Sequence, residues 1–429
     1  MEAAAAPSRS DVTCKRGTVQ WENEGTEKRF VKIKKKSNMT NKKNQTEPVG
    51  NISKRSCFTI LIVGITLMVL GSCSFKEKGD IYIVGSEFVN HDYQVAKLWK
   101  NGKELVLTKE NYGGVAYSVY VYDNDVYVIG IEGKVEQMEM DIKGKKQKHS
   151  RLKSTVGKVW KNGITLYELN GIPESIYVYN DTIYVVGWGN SNKPIFNIAK
   201  LWINGNEQIL TKGTYGEAKS VFVSDNNVYI IGSENDGNWI LKDNQWGINN
   251  YPRLWINGVS QNFTSVNDVE LKSIYVSDDD VYIVGIEYVD KNRIAKLWKN
   301  GTPQALTTNG NYGGEANSVF VSDGVVYVVG WESEYVKNET DGYYNNRVAK
   351  LWKNGIAQNL TNGEQSMTTA TSVFALDKDI YVIGEGSNGV YSIVKLWKNG
   401  VEYDITDGTT SGHANSIFVK RRSLLSRIF

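Results

Sequence analysis

Cysteine and histidine are scarce in this chain, and their scarcity excludes several kinds of site. The three cysteines, Cys14, Cys57 and Cys73, all precede residue 78, so the sequence after them has no disulfide, thiolate nucleophile or zinc–cysteine site. None of the three histidines lies in a nucleophile motif, and no phosphate-binding glycine loop or metal-ligand spacing occurs. We therefore predict no cofactor and no metal.

Excess positive charge is confined to the beginning of the chain. Residues 1–73 contain 13 Lys and Arg against 6 Asp and Glu, whereas the whole chain contains 50 against 47. The remainder is mildly acidic, which is a poor electrostatic match for phosphate backbones, so we predict no nucleic-acid partner. Residues 1–50 are polar and lack apolar periodicity, which predicts a disordered N-terminal extension.

The one long apolar run, Cys57–Leu70, is shorter than a typical membrane span. It follows a basic pair, as in a secretory signal, so residues 51–73 are predicted to be a signal peptide. The run ends in Leu-Gly-Ser-Cys, which resembles the bacterial lipobox. The resemblance implies lipidation of Cys73, a tether over residues 74–79 and an extracytoplasmic, membrane-anchored protein at a bacterial outer membrane or cell surface. The alternative is a leader retained as an uncleaved anchor.

Glycine, tyrosine and tryptophan are abundant, at 41, 25 and 12 residues, and they recur in a fixed unit. Each unit has an apolar strand ending in glycine, as in Val281–Gly285, followed by a Trp-x-Asn-Gly motif. The average period is about 50 residues, as in propeller blades of the kelch kind. The motif tryptophans are predicted to be structural core residues, because a large ring wedged between sheets buries much apolar area: Trp99, Trp160, Trp202, Trp255, Trp298, Trp352 and Trp397.

Each repeat predicts four antiparallel strands. In the copy that begins at Ser273, an Asp-rich turn joins the first two strands, and the Asn300-Gly301 pair predicts a type I′ hairpin with positive φ at both residues. The strands are apolar on both faces, so neighbouring sheets must cover them. Radial stacking of such sheets gives an all-β, seven-bladed β-propeller, predicted over residues 80–420 with a C-terminal tail at 421–429.

The order of the repeats predicts how the ring closes. The chain enters at Asp80–Gly85 without a preceding Ser-Val-Phe-Val strand, and Ser416–Val419 has no following partner. The last strand is therefore expected to complete the first blade, with Phe418 beside Tyr82, which removes both sheet edges.

Segments such as Ser318–Gly330 look like the strand pair of kelch repeats that ends in a glycine doublet. Here the second glycine is replaced, and the tryptophan spacing differs from the kelch pattern. The unit also resembles repeat lipoproteins of bacterial surfaces. The resemblance implies the propeller fold and a divergent kelch-like repeat, and it implies no particular activity.

The two ends of such a ring differ. The tight hairpins lie at one end, the tight-turn face, whereas the other end, the loop face, carries variable loops and Gly-rich connectors. Variable loops on a rigid scaffold usually carry binding sites, so the loop face is the predicted recognition surface. Its longest insertion, Lys134–Lys158, is rich in basic residues and is interpreted as a solvated, mobile loop rather than an anion-binding site.

Two sets of loop-face residues are candidates for ligand binding. Two residues after the repeat glycine, five copies carry a glutamate: Glu87, Glu132, Glu234, Glu287 and Glu332. They predict either an acidic ring near the axis that binds a cation or cationic ligand, or strand-end residues that are solvated or partner the connector backbone. The loops are also rich in aromatic residues, of which Trp188 and Trp331 are the candidates for sugar stacking or a protein contact. Loop packing is the alternative.

These features favour a non-catalytic, lipid-anchored binding or scaffold module that recognises a protein or a glycan. The alternative is a propeller glycoside hydrolase or lyase that uses loop-face carboxylates, because the sequence does not show how far apart the carboxylates lie. No catalytic residue is assigned.

Overall fold

The computed structural model describes residues 79–422 apart from 90–91, 143–144, 191–196, 212–214, 243–244, 264–267, 290–291, 308–312, 338–342 and 362–366. The predicted extension, signal peptide, lipidation site and most of the tether and tail lie outside these residues. The described part contains 28 strands, in seven antiparallel sheets of four, and no helix that could span a membrane.

In each sheet, hereafter a blade, the first strand lies closest to the ring axis, because the first strands of successive blades contact one another around the ring. With strands numbered in chain order, the innermost strands are β4 (Tyr112–Tyr122), β8 (Ile172–Tyr179), β12 (Gly216–Ser224), β16 (Val269–Ser277), β20 (Gly314–Ser322), β24 (Thr369–Leu376) and β28 (Gly412–Arg421). The second strands are β1 (Gly79–Val89), β5 (Asp125–Ile142), β9 (Thr182–Asn190), β13 (Asn227–Lys242), β17 (Asp280–Val289), β21 (Val325–Lys337) and β25 (Asp379–Ser387).

The third strands carry the motif tryptophans and the fourth strands form the exposed rim. The third strands are β2 (Tyr93–Lys100), β6 (Lys145–Lys161), β10 (Asn197–Ile203), β14 (Gln245–Ile256), β18 (Asn292–Lys299), β22 (Tyr343–Lys353) and β26 (Ser392–Lys398). The fourth strands are β3 (Lys103–Val106), β7 (Ile164–Leu169), β11 (Asn206–Ile209), β15 (Val259–Asn262), β19 (Thr302–Ala305), β23 (Ile356–Asn359) and β27 (Val401–Asp404).

The prediction of a closed seven-bladed propeller is confirmed. Blade 1 combines the last strand with the first three, in the order β28-β1-β2-β3, and Tyr82 pairs with Phe418 as expected. Blades 2 to 7 each consist of four consecutive strands. Side chains of blade 1, such as Trp99 and Ile417, share an apolar cluster with Tyr381 of blade 7, so packing also closes this seam.

The motif tryptophans occupy the interfaces between blades. All seven are at most 3 % exposed. Trp160 of blade 2, for example, packs in one cluster with Val84 and Leu98 of blade 1. Burying a ring of this size between sheets removes a large apolar area from water, which stabilises each blade against its neighbour.

The Asn-Gly turns have the predicted type I′ conformation in all seven blades, with φ of 48–52° at asparagine and 78–82° at glycine. The asparagine side chain has a second role that the sequence did not reveal. In each blade its Oδ1 accepts a hydrogen bond of 2.8–2.9 Å from the amide of an apolar residue near the start of the second strand, as Asn300 does from the Val281 amide. This contact ties the third strand to the second at the tight-turn face.

The interpretation of Lys134–Lys158 as a mobile loop is wrong. Strands β5 and β6 continue through it as a hairpin arm, and blades 4 and 6 carry similar arms on β13–β14 and β21–β22. The basic strand of the blade 2 arm faces an acidic one, so Glu136 bonds Lys153 at 2.7 Å and lies 3.6 Å from Arg151. Cross-strand pairs of opposite charge stabilise antiparallel strands, and the segment is extended because its charges are complementary.

Candidate functional site

Every innermost strand contains a β-bulge about midway along its length. In blade 2 the register with β5 shifts between Ala116 and Ser118, so Tyr117 is the extra residue. A bulge re-aims the side chain of the extra residue. The bulged residues stand at the same position of each blade and are Asn415, Tyr117, Glu174, Lys219, Lys272, Asn317 and Thr371, in the order of blades 1 to 7.

The repeat glycine is the counterpart of this bulge on the second strand. A Cβ added to Gly130 would lie 2.0 Å from the Val115 carbonyl oxygen, and the equivalent distance in all seven blades is 1.8–2.0 Å. At the bulge this carbonyl oxygen points towards the second strand and fills the space that the Cβ atom of any other residue would occupy. Glycine is thus required in each blade because the innermost strand is bulged there.

A closed ring of seven aromatic side chains crosses the channel on the tight-turn side of the bulges. Consecutive ring centroids are 4.6–5.0 Å apart, and the rings are tilted rather than stacked. The ring comprises Tyr120, Tyr177, Phe222, Tyr275, Phe320, Phe374 and Phe418. Tilted aromatic pairs at this spacing attract one another beyond their area burial. The ring gives the polar bulge layer an apolar floor.

Above this floor lies a cavity of about 280 Å³, which we call the axial pocket. Its lining consists of Tyr117, Glu174, Lys219, Glu270, Lys272, Asn317 and Asn415. Six of these seven are bulged residues, each contributed by a different blade. The site therefore exists only when the ring is closed, and no single repeat contains it.

The charged side of the axial pocket is built by blades 3 to 5. The Lys219 ammonium lies 2.8 Å from Glu217 and 3.3 Å from Glu174, and Lys272 bonds Glu270. Burial alone would lower the pKa of Lys219, but the two carboxylates outweigh it and hold this pKa above its usual value. Burial would likewise raise the pKa of Glu270, yet the charge of Lys272 prevails and lowers it. Lys219 and Glu270 are therefore ionised at neutral pH.

The neutral side is lined by Asn317 of blade 6, Asn415 of blade 1 and Tyr117 of blade 2, and Thr371 of blade 7 lies at the equivalent bulge. The side chains of Asn317, Thr371 and Asn415 each donate a 2.8 Å hydrogen bond to a backbone carbonyl of the next blade. Beside them, burial and the charge of Glu174 raise the pKa of Tyr117 to about 12, so its hydroxyl stays protonated at neutral pH. This half of the pocket offers uncharged donors and acceptors on a rigid frame.

The five predicted glutamates do not line the axial pocket. They lie on the second strands, and each is bonded to a Lys or Arg of the adjacent third strand at 2.5–3.3 Å, as Glu287 is to Lys296. The side chain of Glu132 also accepts a hydrogen bond of 2.8 Å from the connector amide of Lys109. Each carboxylate is therefore neutralised within its own blade, and a role in ligand binding stays a prediction.

The two candidate tryptophans differ in position. The Trp188 indole donates a 3.0 Å hydrogen bond to Glu174, which places it at the edge of the axial pocket. Trp331 is 5 % exposed, and the Arg347 guanidinium lies over its ring at 4.4 Å. Only Trp188 of this pair is thus brought to the pocket, and Cys73, the lipidation candidate, lies outside the described residues.

Sequence reasoning missed the bulged residues because the period-two pattern of a strand gives no sign of an extra residue. The signal that could have found them is the repeat glycine, which stands opposite the bulge, together with the variable residue before each Ser-Val-Phe-Val. Within the described part of the chain, no cluster of three His, Cys, Asp or Glu side chains could hold a metal ion.

No family model matches the chain, and no curated protein matches it. Among solved structures, a candidate 6-phosphogluconolactonase from Bacteroides fragilis is similar over 81 % of this chain and 99 % of its own, at 11 % identity and a TM-score of 0.40. The β-propeller domain of the Trilobed protease from Pyrococcus furiosus is similar over 68 % and 96 %, at 11 % identity and 0.38. A Trypanosoma rangeli sialidase is similar over 79 % and 52 %, at 10 % identity and 0.35. Similarity this low does not indicate an activity.

Proposed function

We propose that the protein is a non-catalytic binding module that holds a saccharide residue of a glycan in the axial pocket. The observation that carries the proposal is the pairing of charges above an aromatic floor. Because Lys219 and Lys272 are bonded to carboxylates of the same pocket, a charged ligand would have to break these pairs. A neutral ligand rich in hydroxyls meets donors and acceptors that are already in place.

The size and composition of the pocket support a saccharide over a protein side chain. A cavity of about 280 Å³ is at the small end of ligand pockets and suits one sugar residue. Hydroxyl groups both donate and accept, and the lining alternates ammonium donors with carboxylate acceptors. Trp188 at the edge offers a ring face against which the next sugar of a chain can pack.

The same contacts disfavour the alternative of a glycoside hydrolase acting in this pocket. Such an enzyme needs one carboxyl group whose pKa is raised, so that it can protonate the leaving oxygen. The pKa of Glu270 is lowered instead, and Glu174 and Glu217 bond the Lys219 ammonium. The ion pairs of these carboxylates thus favour a pocket that orients a sugar over one that protonates it.

Location at a membrane surface is the second part of the proposal. Its support is the sequence motif that ends at Cys73. Incorporation of labelled palmitate that is lost in the Cys73→Ser variant is the expected result, and equal labelling of parent and variant would rule out this anchor.

The saccharide proposal is tested with a glycan array followed by calorimetry on the bound sugars. The Lys219→Gln variant removes one charge-assisted donor and should weaken binding about tenfold. The matched control is Lys299→Gln on the tight-turn face, where the lysine is also ion-paired, to Asp280 at 2.6 Å. The control should bind like the parent. An array with no bound glycan would overturn the proposal. So would a protein partner that binds the parent and the Lys219→Gln variant with equal affinity.

A further inference from the structure

A second cavity, of about 430 Å³, opens between blades 2 and 3 on the tight-turn face, opposite the axial pocket. We call it the tyrosine groove. Blade 2 contributes three aromatic rings, Tyr122, Tyr127 and Tyr167, and the groove also contains the turn carboxylates of Asp123 and Asp181. The groove runs from the end of the innermost strand to the outer rim.

The tyrosine groove results from a local departure from the repeat. Strand β7 has six residues where the other outer strands have four, and its register with β6 shifts at Leu166, the extra residue. The shift brings the Tyr167 ring over the next blade's turn, where a Cβ on Gly205 would lie 2.8 Å from the ring. In blade 2, Tyr167 pairs with Val159 of the third strand, whereas Gln304 occupies the equivalent position in blade 5. One wall of the groove is therefore aromatic.

The groove already contains one cation held over a tyrosine. The Lys161 ammonium lies 5.3 Å from the Tyr127 centroid and 2.6 Å from Asp125. Among the described residues, neither Asp123 nor Asp181 has an ion-pair partner, although both carboxylates border the same cavity. Two aromatic rings and two carboxylates therefore remain available for a second cation.

We propose that the tyrosine groove binds an arginine side chain presented by an extended basic peptide of a partner protein. A guanidinium is planar, stacks on tyrosine faces and donates in a fork that matches carboxylates, so it fits walls made of these groups. Tyr122 at the end of the innermost strand and Tyr167 on the fourth strand both line the groove, so the extended peptide would lie between them. The inference is independent of the saccharide proposal, because it concerns the opposite face.

The repeat itself supplies matched substitutions. Blade 5 carries Ser277 at the position of Tyr122, so Tyr122→Ser replaces the aromatic ring by a residue that this position tolerates. Asp123 and Asp323 occupy the same turn position, both with φ of 51°, which asparagine also adopts readily. Asp123→Asn and Asp323→Asn therefore make the same chemical change in an equivalent turn, inside and outside the groove.

The test measures fluorescence anisotropy with a labelled Gly-Ser-Arg-Gly-Arg-Ser-Gly peptide and the full chain. A second peptide has citrulline, the neutral isostere of arginine, at both positions. We expect the arginine peptide to bind and the citrulline peptide to bind at least tenfold more weakly. Tyr122→Ser and Asp123→Asn should each weaken binding about fivefold, because each removes one partly exposed contact. Asp323→Asn should bind like the parent.

Equal affinity for the two peptides would overturn the proposal, because the guanidinium charge would then be irrelevant. It would also be overturned if Asp123→Asn and Asp323→Asn had the same effect, since binding would then follow the general charge of the tight-turn face. Circular dichroism of each variant checks that a lost affinity does not reflect lost structure.

Discussion

At the residue scale, the repeat glycine and the bulge opposite it form one unit. The glycine leaves room for a rotated carbonyl, and the rotation lets the bulged residue line the axial pocket. The seven repeat glycines therefore accommodate seven bulged residues, whose side chains differ from blade to blade. A sequence that keeps its glycines can vary its bulged residues freely, and with them the chemistry of the pocket.

The first prediction concerns this unit. In Gly330→Ala the new Cβ would meet the Glu315 carbonyl oxygen at 1.8 Å, and backbone on both sides must move. We expect unfolding in urea to show a loss of about 3 kcal/mol, since overpacking against backbone relaxes poorly. Gly301→Ala is the control, because its Cβ meets nothing within 4 Å and costs only the strain of its positive φ, about 1–2 kcal/mol. A smaller loss in Gly330→Ala than in the control would refute the steric explanation.

The loop-face glutamates illustrate a second residue-scale lesson. Each lies close to a basic residue on the neighbouring strand, as Glu332 does to Lys350 at 3.0 Å. The Ala-Lys-Leu-Trp motif contains this lysine, so the pairing was present in the sequence. It could be recognised only once the strand register was known, because the two residues are 9 to 26 positions apart in the chain.

At the scale of strands, the arms of blades 2, 4 and 6 show where reasoning from local composition fails. The segment around Lys146 is strongly basic and by itself suggests a solvated loop. Its structure is decided by the strand opposite, where Glu139 lies 3.6 Å from Lys146. Composition describes one strand at a time, whereas pairing depends on two.

The closing strand β28 provides the prediction at this scale. His413 bonds Glu385 of blade 7 at 3.0 Å, so it links the strand that completes blade 1 to its neighbour. This hydrogen bond raises the pKa of His413 above its ordinary 6.5, against a smaller opposing effect of burial. The folded protein thus binds the proton more tightly than the unfolded chain. The stabilisation is fully present below pH 6.5 and is lost as pH rises through the folded-state pKa.

We therefore expect His413→Gln to lower the free energy of unfolding more at pH 5.5 than at pH 8.5, as measured by urea denaturation at both values. His149→Gln, on the exposed arm of blade 2, is the control for the loss of a histidine outside the closing seam. A loss in His413→Gln that is equal at the two pH values would indicate that packing, rather than the ion pair, explains its contribution.

At the scale of the whole molecule, the ring closes through the same kinds of contact that join the other blades. The Ile417 amide donates to Ser372 across the closing seam at 3.3 Å, as the Val319 amide does to Ser273 between blades 5 and 6. The aromatic ring and the buried tryptophans likewise continue across it. Closure thus depends on strand pairing and packing, and it does not require the chain to start and end in blade 1.

This account predicts the behaviour of two rearranged chains. Deleting Gly412–Arg422 removes the partner of β1 and should abolish the near-ultraviolet dichroism of the buried tryptophans. Moving the same segment to precede Gly79 through an Asn-Gly turn should restore that signal, because Arg421 and Gly79 are already paired. If the deleted chain kept the parent spectrum, or the rearranged chain failed to regain it, strand pairing would not be what closes the ring.

The sequence by itself determined the number of blades, the four strands in each, the Asn-Gly turns and the strand that closes the ring. The strands and turns repeat and depend on residues close together in the chain, whereas the closing strand follows from the order of the repeats. The axial pocket and the tyrosine groove were decided only by the tertiary structure. Their side chains come from different blades and meet because the ring closes or because one residue, Leu166, shifts a register. A repeat shows what all its copies share, whereas a site is made where copies differ and are brought together.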